Sequence, residues 1–373
     1  MKRLVMAVAV AAALGGCAPT RGRDYESAMA EAHRASSAGR FGEASASYAR
    51  AAKLGKIERD REHAAYLAAL ELARSGNVAS ALRGLDAIAD ASPPGRLSSS
   101  AAYRAAALRR TTGSEAEGLQ GMGALLQRFP DSPMALPALT HLVREREAKE
   151  GRTGALALLD TLEKTLPRDA AIQQRIAYDK ARRAEDDRAA RDAFVALADR
   201  WPYPKGAYWD DALFRASELE EKLGRPREAV ALLERLLSER EISGFLGSYE
   251  RPRFAPAKLR IARLLAEQLG DKEGARRTYH AFYTEFTTSP LRDDALWQEA
   301  RLFREDGREG DACSTLATLV SAFPDSRYVP CATEGCPGLA RPAKSLAPRG
   351  CRPYLKRQGA AAPKEAEATP LSP

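Results

Sequence analysis

A short pattern of apolar positions recurs along most of the chain and predicts helices. In the segment Gly224–Leu237, Ala229 lies four residues before Leu233 and seven before Leu236. This spacing places the three side chains on one face of an α-helix, and the initial glycine marks where a preceding helix ends and turns. The same pattern occurs eight times, at intervals of about 37 residues in most cases. The copies begin at Ala44, Ala81, Gly118, Ala155, Ala190, Ala229, Ala275 and Ala312.

The near-constant period predicts a stack of helical hairpins, because each hairpin buries its apolar face only against its neighbours. The composition agrees with this prediction. Hydrophobic residues make up 45% of the chain and aromatic residues only 7%, and small side chains let packed helices approach closely. No sustained alternation of apolar and polar residues predicts a β-strand. We therefore predict an all-α fold, a right-handed α-solenoid of about eight helix pairs over residues 25–328.

The second helix of each hairpin resembles that of a tetratricopeptide repeat. In GRFGEASASYARAA, Gly39, Phe41, Ala44, Tyr48 and Ala51 occupy the places that this family uses for its turn and its packing. The resemblance implies a stacked array that binds proteins. It is weaker in the third unit, where a glycine replaces the packing alanine, and weakest in the fifth, which lacks the turn glycine. The six units that match best begin at Gly39, Gly76, Gly151, Gly224, Gly270 and Gly307.

A second signature ends several units. An aromatic residue followed by proline stops the second helix at Phe129-Pro130 and at Phe323-Pro324, and a serine or aspartate there can cap the next helix. With this signature, residues 200–326 resemble tetratricopeptide proteins of the bacterial envelope. The nearest are the BamD-like outer-membrane lipoproteins and the YbgF-type proteins of the Tol–Pal system. The resemblance implies a non-catalytic scaffold.

The N-terminus has the features of a lipoprotein export signal. Lys2 and Arg3 supply positive charge, and Leu4–Ala13 is an apolar run too short to span a bilayer permanently. The sequence LGGC that ends at Cys17 resembles the bacterial lipobox. This resemblance implies that residues 1–16 are removed and that Cys17 is lipidated. An ordinary signal peptide with an incidental cysteine is the alternative.

Residues 17–24 are predicted to form a short lipidated tether. Each buried acyl CH₂ group contributes about 0.8 kcal/mol to membrane binding, so several chains anchor a protein almost permanently. Ala18, and not aspartate, follows the lipidated position. By resemblance to envelope lipoproteins, this implies the outer membrane, with the protein facing the periplasm. The inner membrane is the alternative.

The helical period stops after Tyr328. Residues 329–358 are rich in proline and glycine and are predicted to cap the last hairpin, and residues 359–373 have low complexity and are predicted to be disordered. Four cysteines remain besides the lipidated one, and an even number in the oxidising periplasm favours two disulfides. A metal site and free thiols are the alternatives. These cysteines are Cys313, Cys331, Cys336 and Cys351.

The tetratricopeptide resemblance also implies where a partner binds, because the first helix of each hairpin lines the concave side in that family. Aromatic and arginine side chains on these helices are candidate anchors for a protein or an extended peptide segment. The alternative is that the aromatic side chains fill the core between helices. The candidates are Tyr208, Trp209, Phe214, Arg260, Arg263, Trp297, Arg301 and Arg304.

One interval of the repeat is longer than the others. The excess between Ala229 and Ala275 lies in Glu241–Pro256, where aromatic and aliphatic residues alternate with glycine and proline. So many apolar groups are unusual in a polar linker. We predict that this insertion either packs against the solenoid or contacts a partner.

The sequence indicates neither catalysis nor a cofactor. His33, His63, His141 and His280 are far apart, and none belongs to a catalytic or metal-binding motif. A cell-wall hydrolase carrying a repeat domain is the alternative of another class, but it requires a catalytic segment outside the repeats. The formal charge of +8 comes from acidic and basic residues that are interleaved along the helices. Such patterning indicates solvated, ion-paired faces and not a nucleic-acid interface.

These features together predict a periplasm-facing outer-membrane lipoprotein that acts as a protein-interaction scaffold. The predicted partner is a protein or extended peptide segment of the envelope, with no nucleic acid, small-molecule substrate, cofactor or metal. A BamD-like role in outer-membrane protein assembly is preferred. The alternatives are envelope coordination of the Tol–Pal type and a scaffold for a secretion or pilus system.

Overall fold

The protein is described by a computed structural model that covers residues 21–241, 250–343 and 345–346. These residues form sixteen α-helices and no β-strand, so the predicted all-α hairpin fold is confirmed. The described part of the chain falls into two compact units, and the boundary lies between Arg183 and Ala184. The predictions outside the described residues concern the signal peptide at 1–16, Cys17, residues 242–249 of the insertion, Cys351 and the tail at 359–373.

The first unit contains eight helices, and each one packs on the next. Short turns join them, so they form consecutive hairpins. One helix bends sharply at Gly151, where the backbone leaves the helical conformation. The helices are α1 (Arg23–Ser37), α2 (Phe41–Leu54), α3 (Glu58–Arg74), α4 (Val78–Ala89), α5 (Ser98–Thr112), α6 (Glu115–Arg128), α7 (Ala135–Thr165) and α8 (Ile172–Ala181).

The second unit contains the other eight helices and has the same hairpin construction. Its last helix is short and packs on the hairpin before it. None of the helices in the described ranges combines the length and the apolar character needed to cross a bilayer. The helices are α9 (Asp187–Arg200), α10 (Trp209–Lys222), α11 (Pro226–Ser238), α12 (Phe254–Glu267), α13 (Lys272–Glu285), α14 (Arg292–Glu305), α15 (Glu309–Ala322) and α16 (Val329–Gly335).

The recurring apolar pattern forms the buried seam of each hairpin. In α11, Ala229, Leu233 and Leu236 are all fully buried, as the spacing requires. The leading small residue is buried in seven of the eight copies, and Ala190 is half-buried. At Gly118 a Cβ atom would lie only 2.7 Å from the carbonyl oxygen of Ala106, so α6 approaches α5 too closely for the usual alanine. The seam therefore depends on small side chains that let two helices meet.

The turns between paired helices depend on glycine in the left-handed region of backbone conformation. Six glycines have positive φ, and they are the same six that the sequence marks as turn positions. At Gly307, whose φ is 72°, the next amide, Arg308 N–H, donates to the carbonyl of Phe303 at 2.9 Å and closes the helix end. The left-handed conformation costs other residues about 1–2 kcal/mol.

We predict opposite effects of alanine at two glycines in one hairpin. Gly307→Ala should lower the free energy of unfolding by about 1–2 kcal/mol, because only its positive φ opposes a side chain and no atom lies within 4 Å of the new Cβ. Gly310→Ala, in the first turn of α15 with the same open space, should raise it by about 0.5–1 kcal/mol. Urea unfolding followed by circular dichroism measures both, and equal effects of the two substitutions would contradict this account.

Candidate protein-binding surface

The sequence-predicted binding residues lie on three helices of the second unit. Tyr208 immediately precedes α10, which carries Trp209 and Phe214. Two arginines lie on α12 and the other three residues lie on α14. These are the first helices of three successive hairpins. We call the side of α10, α12 and α14 that carries these residues the first-helix face.

Two of the predicted anchors are core side chains and not groove side chains. Trp209 is 2% exposed and Phe214 is 7% exposed, so neither presents a surface to a partner. The segment before α10 turns at Gly206, whose amide donates to the carbonyl of Pro202 at 3.0 Å, and it brings the ring of Tyr203 to 5.7 Å from the ring of Trp209. For these two residues the alternative stated from the sequence, core packing, describes the structure. Tyr208 is half-buried.

The arginines of α12 are held by carboxylates of α10. Arg260 pairs with Glu218 at 3.2 Å and also with Glu221. Arg263 bonds to the same Glu221 at 2.9 Å. The guanidinium of Arg260 also lies 5.6 Å from the ring centre of Phe214. These contacts join successive first helices. The arginines therefore hold neighbouring hairpins in alignment.

The end of the insertion extends this set of ion pairs to the beginning of α10. Arg251 donates to Asp210 at 3.1 Å and to the carbonyl of Gly206 at 3.0 Å. Arg253 pairs with Asp211. The described end of the insertion is thus fixed against the solenoid, and the part that carries Phe245 and Tyr249 lies outside the described residues.

The face is more open on α14. Trp297 is half-buried, and its ring stacks on Tyr328 at a centroid distance of 4.8 Å. Arg301 lies one turn further along the helix, is exposed, and pairs only loosely with Glu305 at 3.5 Å within the same helix. Burial raises the pKa of Tyr279 to about 12, although the nearby positive charge of Arg301 opposes the shift. The exposed arginine and the half-buried tryptophan together form the accessible part of the first-helix face.

A buried carboxylate holds Tyr328 beneath the tryptophan. The Tyr328 hydroxyl donates to Asp294, which Arg327 also approaches at 3.3 Å. Burial raises the pKa of Asp294 above its ordinary value, and the hydrogen bond from Tyr328 opposes that shift because it stabilises the ionised form. The orientation of Trp297 therefore rests on a polar contact in the core.

The predicted C-terminal cap begins with α16. Val329 and Ala332 pack into one apolar cluster with Leu316 and Leu319 of the last full hairpin. Arg304 reaches from α14 to the end of α16, where it donates to the carbonyl of Gly335 at 3.0 Å. Because its guanidinium is hydrogen-bonded to the cap, Arg304 is less available to a partner than Arg301.

A disulfide joins the cap to the last hairpin. Cys313 of α15 is bonded to Cys336, with 5.7 Å between their Cα atoms. Cys331 is disulfide-bonded as well. The oxidised sulfurs are not available as metal ligands. The pairing of Cys351 stays a prediction.

The first unit contains a groove that the sequence patterns did not predict. It has a volume of about 850 Å³ and lies between α2 and α4, above α3. Alanine is its commonest lining residue, and single alanines do not stand out in an alanine-rich helix. A comparison of positions one repeat apart identifies the groove. It shows which positions hold small side chains here and large or charged side chains in the next repeat.

We predict that Tyr328→Phe lowers the free energy of unfolding by about 2 kcal/mol at pH 7, because buried Asp294 loses a donor to its charged form. The folded-state pKa of Asp294 already lies above its unfolded value, and loss of the donor raises it further. The extra cost exists only while Asp294 is ionised, so it should shrink as the pH falls through that raised pKa.

Tyr279→Phe is the matched control, since no hydrogen bond ties that hydroxyl to another described residue. Its effect should stay small at both pH values. Denaturant unfolding of the three proteins at about pH 7 and pH 4 measures the difference. A pH-independent loss in Tyr328→Phe would show that Asp294 is not the group that responds.

Comparison with known proteins finds a family model that matches three helical hairpins of the second unit. Three segments match the family model of the tetratricopeptide repeat, namely residues 211–240, 257–289 and 294–326. They correspond to the hairpins α10–α11, α12–α13 and α14–α15. The comparison with curated proteins gives no match.

Solved structures with a similar fold are also helical-repeat proteins. A tetratricopeptide repeat protein from Parabacteroides merdae is 14% identical, with 74% of this chain and 99% of that chain covered and a TM-score of 0.32. A putative kinesin light chain with tetratricopeptide-like repeats from Podosopora anserina is 18% identical, covering 51% and 96%, with a TM-score of 0.37. The TPR2AB domain in the pHSP90 complex of yeast Sti1 is 17% identical, covering 77% and 98%, with a TM-score of 0.28.

All three TM-scores lie below 0.5, so the assignment rests on the family model and on the hairpin geometry. The matched segments begin and end close to the helix pairs that the structure forms. Three of the six turn glycines with positive φ, Gly224, Gly270 and Gly307, lie inside matched segments. Three hairpins within residues 211–326 therefore match the tetratricopeptide repeat.

Proposed function

We propose that this protein is a non-catalytic scaffold, held by lipid on the periplasmic side of the outer membrane, that captures a protein partner during outer-membrane protein assembly. Tetratricopeptide repeats present extended surfaces that bind proteins, and this supports the scaffold role. The observation that carries the rest is the combination of these repeats with an N-terminal lipobox sequence ending at Cys17.

The anchor and the binding surface would act together. A lipidated Cys17 confines the repeats to a thin layer next to the membrane, which raises their effective concentration for any partner in that layer. Residues 17–24 supply only a short tether, so the first helix begins close to the membrane surface. A weak contact by the repeats is then sufficient for capture.

The first-helix face supplies the contact. Trp297 offers a rigid, amphipathic ring with one side supported by Tyr328, and Arg301 offers an exposed cation one turn away. Tryptophan and arginine are the side chains that most often carry binding energy at protein interfaces. A partner segment with an acidic residue next to an apolar one fits this pair.

The resemblance of residues 200–326 to BamD-like lipoproteins supports assembly of outer-membrane proteins as the process. The same resemblance extends to YbgF-type proteins of the Tol–Pal system, and secretion scaffolds use the same architecture. The partners differ between these processes, so their recovery separates them.

We predict that Cys17 carries a diacylglycerol thioether and an acylated amine. Mass spectrometry of the N-terminal peptide from membranes of a Gram-negative host measures this modification directly. Cys17→Ser should leave the protein unacylated and remove it from the outer-membrane fraction, whereas Thr20→Ser, three residues away, should change neither property. An unmodified Cys17 in the membrane fraction would refute the lipid anchor.

We predict that Arg301→Glu weakens recovery of the partner by about tenfold or more without loss of helical structure. Arg277→Glu on α13 is a matched control, because each arginine is exposed and pairs at 3.5 Å with a glutamate of its own helix. Purification of the lipidated protein from cross-linked cells, with quantification of β-barrel assembly, Tol–Pal and secretin subunits, measures the effect. Recovery of Tol–Pal or secretin subunits alone would assign the scaffold to another process.

A further inference from the structure

The groove of the first unit is unusually open and apolar for a seam between hairpins. It lies between the second helices α2 and α4 and has α3 as its floor, with a volume of about 850 Å³. Ala65 and Ala69 form much of the floor, and Gly84 and Ala87 of α4 form one wall. Short side chains therefore leave this part of the groove wide, and Glu58, Arg61 and Glu62 of α3 also line it.

The next hairpin has an equivalent groove that is much smaller. It lies between α4 and α6, above α5, and has a volume of about 320 Å³. Each residue that lines this second groove lies 37 positions after a residue that lines the first. The two grooves are thus the same site in successive repeats, and a residue-by-residue comparison shows what closes one and leaves the other open.

Charged and aromatic side chains close the second groove. Asp86 and Arg109 form an ion pair at 2.6 Å. Arg128 pairs with Asp90 at 3.3 Å, and its guanidinium lies 5.0 Å from the ring centre of Phe129. The chain itself therefore supplies two ion pairs and one aromatic ring at this site.

None of these groups is present in the first groove. In the first groove, Ala49 and Leu72 occupy the positions that correspond to Asp86 and Arg109. Ala91 and Ser92 occupy the positions that correspond to Arg128 and Phe129. Asp90 is replaced by Lys53, which reverses the charge at the rim. Two carboxylates also line the groove, but Glu58 pairs with Arg61 and Glu62 accepts hydrogen bonds from two backbone amides of the following loop. Among the described residues, neither they nor any other carboxylate pairs with Lys53. The first groove thus has an apolar space where its neighbour has a ring, and an exposed cation where its neighbour has a carboxylate.

We infer that this groove binds a helical segment of another protein, one that inserts a bulky apolar side chain, preferably aromatic, and places a carboxylate one turn away. The apolar side chain occupies the space that Phe129 and Arg128 fill in the next repeat. The carboxylate pairs with Lys53 and supplies the charge complementarity that Asp90 and Arg128 have within the chain. A helix fits because α2 and α4 present alanine and glycine at Ala49, Ala52, Gly84 and Ala87, and small side chains permit close helix packing.

This site refines the proposed scaffold function, on which it rests, by adding a second contact in a different unit from the first-helix face. The site does not depend on Cys17, Trp297 or Arg301. Its failure and the failure of the proposed function are therefore separable.

The test uses the full-length protein and a fluorescein-labelled, alanine-based helical peptide of about 16 residues. The peptide carries one central tryptophan and a glutamate four positions later. Two control peptides replace the tryptophan with alanine or the glutamate with lysine. Fluorescence anisotropy at low salt measures the affinity of each peptide, and the original peptide should bind more tightly than either control.

Protein variants locate the binding. A closed variant carries the side chains of the second groove at the corresponding positions of the first. It should bind the peptide more than about tenfold more weakly, while its circular dichroism spectrum stays that of a helical protein. Lys53→Glu, a single exposed change, should weaken binding by about threefold, and Lys56→Glu, outside the groove, should not. Absence of binding to the original protein, or equal affinity for all variants, would overturn the proposal. The closed variant carries Ala49→Asp, Lys53→Asp, Leu72→Arg, Ala91→Arg and Ser92→Phe.

Discussion

The structure depends on the close approach of paired helices through small side chains. Ala229 and Ala312 are fully buried in their seams, and at Gly118 not even a methyl group fits. Because helices that meet through alanine leave little space between their axes, the larger residues one and two turns away can interlock. The turn glycines serve the same contact, since a left-handed turn brings the second helix back onto the first. Both features recur with the period of the chain, so the fold is one local solution used repeatedly.

Repeats that share this seam differ in the polar groups around it. Arg260 and Arg263 connect α12 to the carboxylates of α10, and the buried Asp294 fixes Tyr328 below Trp297. These contacts determine which side chains stay available. Arginines that hold a neighbouring hairpin contribute to alignment, whereas Arg301 stays exposed. Function in this chain therefore follows from which side chains the packing does not use.

The sequence predicted the helices and turns well, because both arise from local spacing. Gly39 and Gly307 mark turns through their own backbone freedom, and the i, i+4, i+7 rows mark seams through helical geometry. The candidate site was harder to predict. Trp209 is buried because the segment before α10 folds over it, and such tertiary coverage has no local signal. The open groove of the first unit is defined by missing side chains, and only an alignment of the chain with itself at a shift of 37 residues reveals them.

The separation of seam and groove has an evolutionary consequence. In α2 the seam uses Ala44, Tyr48 and Ala51, whereas the groove uses Ala49 and Lys53 on an adjoining strip of the same helix. Mutations on that strip alter the shape and charge of the cleft while the interior contacts stay intact. A duplicated hairpin is thus free to acquire or lose a docking cleft at little cost to folding, and an array of near-identical units can diversify its recognition one unit at a time.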